Sequence, residues 1–576
     1  MNRRRFLAFI GAGALASLAS SRHAHAATFD GFTPIAPSRE DALILPAGFR
    51  AQAIMLWGDR VRGVDRFGYN ADFTAYFPLP AEGEGLLWVN HEYVNVAERP
   101  SGGVSTVGVW QQTFPLVIGR APTIDDIRHD MGGSVLHLRS RDGRWDVVGD
   151  SRYSRRITAG LNERIAADGP AVADVFERHD VDGLRGAIQG MHSNCSGGET
   201  PWGTVLTCEE NVNFWVPDDV DAAGRGKVGG RLNTLGTKYG WVVEIDPYAP
   251  SALPVKHTAL GRFRHENVGI RTRDGARVVC YMGDDRPAGH VWKFVTRDRY
   301  RAGDAHRADN QRLLSAGTLS VARFDRHGAG RWIPLTPDTP LAPNGAPTQP
   351  IHGGVTTLGQ LYASPGAIVV DAFQAANAAG GTPTGRPEDL EVHPATGAVY
   401  IAFTSFVSLT DQLFSTRLGE LWRIDEDGGD PEATTFRWSR FVASGGVPGR
   451  GGFAQPDNLM FDRAGNLWMC TDMSPGGLNE DALPENAYRN NGVFVIATSG
   501  PEAGRPRQFA SGPCESELTG PSLTPDGATL FLSVQHPGER FGIRGVGTVA
   551  APRGSNWPGG TPGAPPRPGV VAVTRG

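Results

Sequence analysis

Several acidic residues and one cysteine stand where an apolar run begins or ends. Cys195, Glu266, Glu388, Asp457 and Glu517 each open such a run. His91-Glu92, Glu209-Glu210, Asp284-Asp285, Thr471-Asp472 and Gln535-His536 each close one. Crowded carboxylates raise each other's pKa and repel, and multivalent cations resolve that conflict economically. Carboxylate oxygens suit Ca²⁺, Mg²⁺, Mn²⁺ and Fe³⁺, while a thiolate among them points to a transition metal. Cys195 lies in the polar, Gly-rich stretch His192-Ser193-Asn194-Cys195-Ser196-Gly197-Gly198. Cys208, Cys280 and Cys470 sit in apolar runs and read as inert buried thiols. No zinc-type cysteine pair, EF-hand loop, Walker A loop or Rossmann fingerprint occurs.

These residues can meet only if the chain repeats. An acid or polar residue, an apolar stretch, a glycine turn and a second apolar stretch recur six times. The expected turn glycines are Gly85, Gly203, Gly275, Gly397, Gly465 and Gly527. Each unit reads as a β-hairpin, and six of them predict an all-β, six-bladed β-propeller with inserted loops and short helices. The spacings of 118, 72, 122, 68 and 62 residues are too irregular for a β-helix. The long ones place insertions near 95–190 and 295–350. Val570-Val571-Ala572-Val573 is expected to close the ring. In a propeller, the start of the innermost strand and the end of the next share one face. All the acids named above should therefore reach one channel mouth. Strand alternation favours Glu210 over Glu209 and admits one of Asp284 and Asp285.

Composition limits the alternatives. Gly 76 and Pro 42 make about a fifth of the 576 residues, favouring tight turns over long helices. The opening Asn2-Arg3-Arg4-Arg5-Phe6-Leu7, the apolar run 8–18 and Ala24-His25-Ala26 resemble a twin-arginine export signal. Residues 27–576 then form a single propeller domain, exported to the periplasm or beyond through the twin-arginine translocase. Residues 1–26 carry four Arg and no acid, so the remainder has 52 basic and 61 acidic residues, net −9. Nucleic acid is an unsuitable partner for that charge. No later run is long and apolar enough for a membrane span.

At these motifs the chain resembles the PhoX family of alkaline phosphatases (the DUF839 group). The landmarks include Asn90-His91-Glu92-Tyr93, the run 194–210, Tyr239-Gly240-Trp241, Arg264-His265-Glu266, Gly283-Asp284-Asp285, Arg386-Pro387-Glu388 and Thr519-Gly520-Pro521. They stand in order from Leu45 to Glu539. The resemblance implies a monomeric, exported hydrolase of small phosphate monoesters. Its centre would hold Ca²⁺ and Fe³⁺ with a bridging oxo group. By motif, Cys195 would bind iron, and Glu92, Glu210, Glu266, Asp285, Glu388, Asp457 and Glu517 would bind metal. Arg386 would meet the substrate phosphate, or else pair with a ligand carboxylate. His91 is a further catalytic candidate, or a hydrogen bonder behind the ligands. The chain departs from the family pattern at Asp389, where Trp is usual, and at Gln455-Pro456-Asp457-Asn458, where Arg-Pro-Asp-Gly is usual. Those changes predict one negative charge gained and one positive charge lost near the mouth. The same acids also fit a calcium-dependent propeller hydrolase of lactones or phosphotriesters, or a non-catalytic exported propeller.

Overall fold

The computed structural model describes residues 29–576 except 30, 97–107, 178–183, 185, 222–223, 343–353, 406–415 and 480. The proposed export signal lies outside the described residues, as do parts of both long intervals. Six antiparallel hairpins form the inner part of six blades. They are Ala71–Pro78 with Glu84–His91, Asn194–Glu199 with Val205–Glu209, and Gly269–Arg271 with Arg277–Gly283. Pro387–Val392 with Val399–Phe403, Pro456–Phe461 with Leu467–Thr471, and Glu517–Leu523 with Thr529–Gln535 complete the set. Each inner strand touches the next around a closed ring, and the sixth returns to the first. The fold is a six-bladed β-propeller.

The last strand, Gly569–Arg575, pairs with Thr529–Gln535 on one side and with the N-terminal strand Phe49–Leu56 on the other. The two chain ends thus share the sixth blade and lock the ring. Between 95 and 190 the described residues include the helices Val109–Ile118 and Ile124–Asp130. The same interval supplies Gly132–Arg141 to the first blade, and Arg164–Asp168 and Ala187–Gln189 to the second. Between 295 and 350, Gly317–Phe324 and Ala329–Pro334 extend the third blade and join it to the outer strand of the fourth.

Burial explains why these strands read as continuous apolar runs. A blade is covered on both faces by its neighbours, so alternation disappears. Leu86, Leu87, Trp88 and Val89 are all fully buried, as are Trp241, Trp292 and Trp422. Five of the six expected turn glycines have positive φ, from +69° at Gly527 to +81° at Gly465. The exception is Gly85, which lies in a strand under the Tyr76 ring. Gly83 makes that turn instead, at φ +71°.

One buried network in the second blade sets a pH limit on the fold. His257 Nδ1 lies 3.0 Å from Asp168 Oδ1 and Nε2 lies 2.8 Å from Glu244 Oε2. Burial opposes the imidazolium, but the two carboxylates outweigh it and lift His257 to about 10. A raised folded-state pKa gives stability that is full below about 6.5 and lost as pH rises through about 10. His257→Gln should therefore cost about 3 kcal/mol at pH 6 and much less at pH 10.5, read by denaturant melts.

Candidate metal centre

A local backbone repeat aims the acids. Asn70, Ser193, Arg386, Gln455 and Glu515 all have positive φ, between +42° and +59°. Two residues after each stands Asp72, Cys195, Glu388, Asp457 or Glu517. A left-handed conformation is uncommon outside glycine, and its recurrence marks a site that the surrounding fold holds in place. A β-bulge follows in each of these five inner strands. Bulges re-aim side chains; Asp72, Cys195, Glu388 and Asp457 lie within theirs, whereas Glu517 precedes its bulge in regular pairing with Gln535. In the third blade Glu266 takes the same place after Arg264-His265.

The second strand of each hairpin returns its end to the same mouth. Backbone N–H groups of Glu92, Glu210, Asp285 and Asp472 donate to the carbonyls of Asn70, Ser193, Arg264 and Gln455, at 2.9–3.2 Å. In the fourth blade the matching residue is Thr404, which donates to the Arg386 carbonyl at 3.1 Å. Two rings of side chains, one from each strand, therefore meet.

Their donor atoms form four overlapping groups, each with all atoms within 4.8 Å of one another. The groups are Asp72, Glu92 and Cys195; Cys195, Glu210 and Glu266; Glu266, Glu388 and Asp457; and Asp457, Asp472 and Glu517. Cys195, Glu266 and Asp457 are shared, so the groups form one continuous arc. Cys195 Sγ lies 3.3 Å from Glu266 Oε1. Gln535 Nε2 ties Asp72 Oδ2 to Glu92 Oε2, at 2.9 Å to each.

Seven of the eight ligands expected from the sequence stand in this arc. Asp285 joins it differently. Arg386 binds its carboxylate with both arms, Nε to Oδ1 at 2.7 Å and Nη2 to Oδ2 at 2.9 Å. Burial would push Asp285 up, yet Arg386 outweighs it and holds the carboxyl below its usual range. Arg386 Nη2 also lies 3.1 Å from Glu388 Oε1, and its side chain is 27% exposed at the mouth.

Two sequence expectations are corrected. His91 faces away from the arc: Nδ1 lies 3.1 Å from the Tyr69 carbonyl and Nε2 2.8 Å from Ser134 Oγ. With both ring nitrogens engaged and the ring buried, it has no nitrogen to offer a substrate. Asp389 does not line the mouth, although its charge adds to the upward shifts of Asp72, Glu266 and Asp457. It lies one step inside the bore, accepting from Ser196 Oγ at 2.9 Å and from the Leu459 N–H at 2.8 Å. Asn458 does the same in the next blade, accepting from the Gly520 N–H at 3.0 Å.

Glu209 points the other way from Glu210, as alternation requires. Lys256 Nζ donates to both its oxygens, at 2.7 and 2.9 Å, and both side chains are fully buried. Glu209 also accepts from the N–H groups of His192, Gly240 and Trp241. It thereby fixes the segment leading to Cys195. Lys256→Met would strand that carboxylate and should cost about 3–5 kcal/mol. Glu209→Gln with Lys256→Met should regain some of it, a comparison made by equilibrium unfolding.

The electrostatics of the arc are lopsided. Asp72, Glu92, Glu210, Glu266, Glu388, Asp457 and Glu517 are each raised well above the usual carboxyl range, first by burial. Neighbouring acids add to this in every case. Burial, then Asp72 and Glu266, push the Cys195 thiol up too. Asp457 Oδ1 is buried and without a hydrogen-bond partner. Hard oxygens in excess, an orphaned carboxylate oxygen and one soft sulfur fit bound cations of two kinds, hard ones and a transition metal.

Comparison with known proteins agrees with this geometry. A family profile described as alkaline phosphatase PhoX matches residues 30–538. Among solved structures, Pseudomonas fluorescens PhoX in complex with vanadate, a transition state analogue, is 29% identical with a TM-score of 0.77. That match covers 95% of this chain and 98% of the other. A Xanthomonas campestris gluconolactonase is 10% identical with a TM-score of 0.26, over 90% of this chain and 98% of its own. A Bacteroides ovatus glycosyl hydrolase is 10% identical with a TM-score of 0.30, over 83% and 96%. No curated protein matches.

Proposed function

This chain belongs to the PhoX alkaline phosphatase family, and from that premise we propose that it hydrolyses phosphate monoesters at a calcium–iron centre held by the acid arc. The observation that carries this reading is the arc itself: buried carboxylates and one thiol, shared between groups that each bring three donors together. Asp72, Glu92, Glu388, Asp457, Asp472 and Glu517 offer oxygens suited to calcium. Cys195, with Glu210 and Glu266, offers the mixed sulfur and oxygen set suited to iron. When bound, such cations supply positive charge and Lewis acidity for in-line displacement at phosphorus. The vanadate complex of the Pseudomonas fluorescens relative supports phosphoryl chemistry on this fold.

The chain's own residues then have definable roles. Arg386 stands at the mouth, pre-oriented by Asp285, with some of its guanidinium open to an arriving phosphate. A planar guanidinium matches phosphate oxygens in pairs. Ser196 and Asp389 bond beneath the arc, and substrate and product are expected to use the mouth where Arg386 is exposed. The N-terminal segment directs export by the twin-arginine route, consistent with a centre loaded before translocation. The propeller, residues 27–576, acts as one monomeric domain on small phosphorylated substrates. Family membership removes the non-catalytic reading, and no observation favours lactones or phosphotriesters.

Protein exported by its own host should contain calcium and iron. It should hydrolyse p-nitrophenyl phosphate and lose that activity to a calcium chelator. Full turnover in protein free of both metals would sink the proposal. Arg386→Ala should lower kcat/KM by about 10²–10³-fold, about 3–4 kcal/mol, with metal content unchanged. Arg386→Lys should recover only a fraction, because an ammonium cannot reproduce the paired contact.

A further inference from the structure

The opposite end of the bore holds a cavity of about 540 Å³ that the acid arc does not use. The cavity's lining and the acid arc have no residue in common. Ser196 and Asp389 bond beneath the arc, and Asn267 and Asn458 bond the neighbouring inner strands at the same level. Its walls are mainly apolar and aromatic, among them Phe73, Ile270, Met460, Phe461 and Trp468. Set into these walls are Glu199 and Glu391.

Position on the strands explains why these two glutamates share one cavity wall. Glu199 lies three residues beyond Ser196, and Glu391 lies two beyond Asp389. Ser196 and Asp389 already touch, and beyond them both strands run into the cavity wall, which both glutamates line. Each is held up by enclosure, Glu199 to about 7 and Glu391 to about 8, and Glu199 adds to the shift of Glu391. Glu199 is nonetheless open to the cavity. No cationic side chain pairs with either among the described residues. The other acids of the wall are spent in turns: Asp462 accepts from Asn466 and Trp468, and Asp526 from Thr524 and Ala528. Arg463, the cation of the wall, is exposed at its rim.

We infer that this cavity binds an amphipathic organic cation, one ammonium group on an apolar body, with the charge between Glu199 and Glu391 and the body against the aromatic walls. Charge complementarity selects this class. A phosphorylated substrate or product would meet two carboxylates and be repelled. A bare calcium ion takes six to eight oxygens, and two carboxylates in an apolar wall fall short. An ammonium needs few partners and leaves its chain on apolar surface.

Isothermal calorimetry on the metal-loaded, exported protein tests this with 3-phenylpropyl-trimethylammonium, 3-phenylpropanol and calcium chloride as probes. The quaternary ammonium should bind saturably, at least tenfold more tightly than the alcohol. Glu199→Gln with Glu391→Gln should weaken it at least tenfold while p-nitrophenyl phosphate turnover stays unchanged. Ile270→Lys, which supplies a competing internal ammonium, should abolish binding with both glutamates present, and serves if the double variant fails to fold. Absence of saturable binding, equal affinity for the alcohol, or undiminished affinity in both variants would each overturn the inference. So would calcium binding that the double glutamine variant loses.

Discussion

Cys195→Ala will lower bound iron and phosphatase turnover together, with kcat falling by about 100-fold or more. The expectation comes from where the sulfur sits. Cys195 belongs to two of the four donor groups, one with Asp72 and Glu92 and one with Glu210 and Glu266. Alanine removes the donor common to both. The thiol is pushed up by burial and surrounding acids, so the thiolate persists there only beside a cation that stabilises it. Serine offers a weak, hard oxygen in the same place. Cys195→Ser should therefore retain more calcium than iron. Elemental analysis and turnover measured on one preparation decide the matter. A Cys195→Ala protein with full iron and full turnover would exclude the sulfur as a ligand. Because outer blades and ring closure do not involve Cys195, its melting temperature in metal-free buffer should change little.

The hairpin repeat is readable because propeller blades are buried on both faces. Leu86-Leu87-Trp88-Val89 and Leu467-Trp468-Met469 appear as unbroken apolar runs, and the glycine between runs marks the turn. The acids are readable because each stands at the edge of such a run. Asp72 escapes for the same reason reversed. It is flanked by Ala71 and Phe73, inside the apolar run of the first blade, so it carries no boundary signal. The signal that finds it is positional: Asn70-Ala71-Asp72 occupies the place of Ser193-Asn194-Cys195 and Gln455-Pro456-Asp457. Asp472 stands at a run's end but lacks a motif to promote it. The positive φ at Asn70, Ser193, Arg386, Gln455 and Glu515 is not legible at all. None of those residues is glycine, and only their shared context imposes the conformation.

Charge position is the least legible quantity. Glu388 and Asp389 are adjacent, and so are His91 and Glu92. Sequence alone puts both members of each pair near the mouth. The bulge between Pro387 and Leu390 sends Glu388 to the arc and Asp389 to the layer beneath. There its two oxygens accept from Ser196 and Leu459, the service Asn458 renders in the next blade with an amide. The strand ends at His91, whose ring packs outward against Phe67 with ring centroids 4.5 Å apart, and Glu92 follows it, its N–H held by the Asn70 carbonyl. The departure at Asp389 thus bears on how the inner strands are stitched. Gln455, by contrast, does remain at the rim, where its carbonyl accepts from the Asp472 N–H at 2.9 Å.

Stripping the cations should invert the protein's response to pH. In the bare arc, Asp72, Glu92, Glu210, Glu266, Glu388, Asp457 and Glu517 all favour the protonated form more strongly when folded than when unfolded. The folded state then binds more protons than the unfolded state above about pH 4, so stability falls as pH rises. Asp285 works the other way, because Arg386 holds it below its usual range, but it is one group against seven. Chelated protein should therefore melt at progressively lower temperature from pH 5 to pH 9. Loaded protein should not, since the cations take over the neutralising role that protons play in the bare arc. Each cation present at a thousand times its Kd adds about 4 kcal/mol, so several sites together separate the two melting curves widely at pH 9 and little at pH 5. Equal melting temperatures for chelated protein at both values would mean that the carboxylates are neutralised by something inside the fold. The acid arc would then have no physical need of metal, and the premise shared by the Cys195 and Arg386 predictions would fail with it.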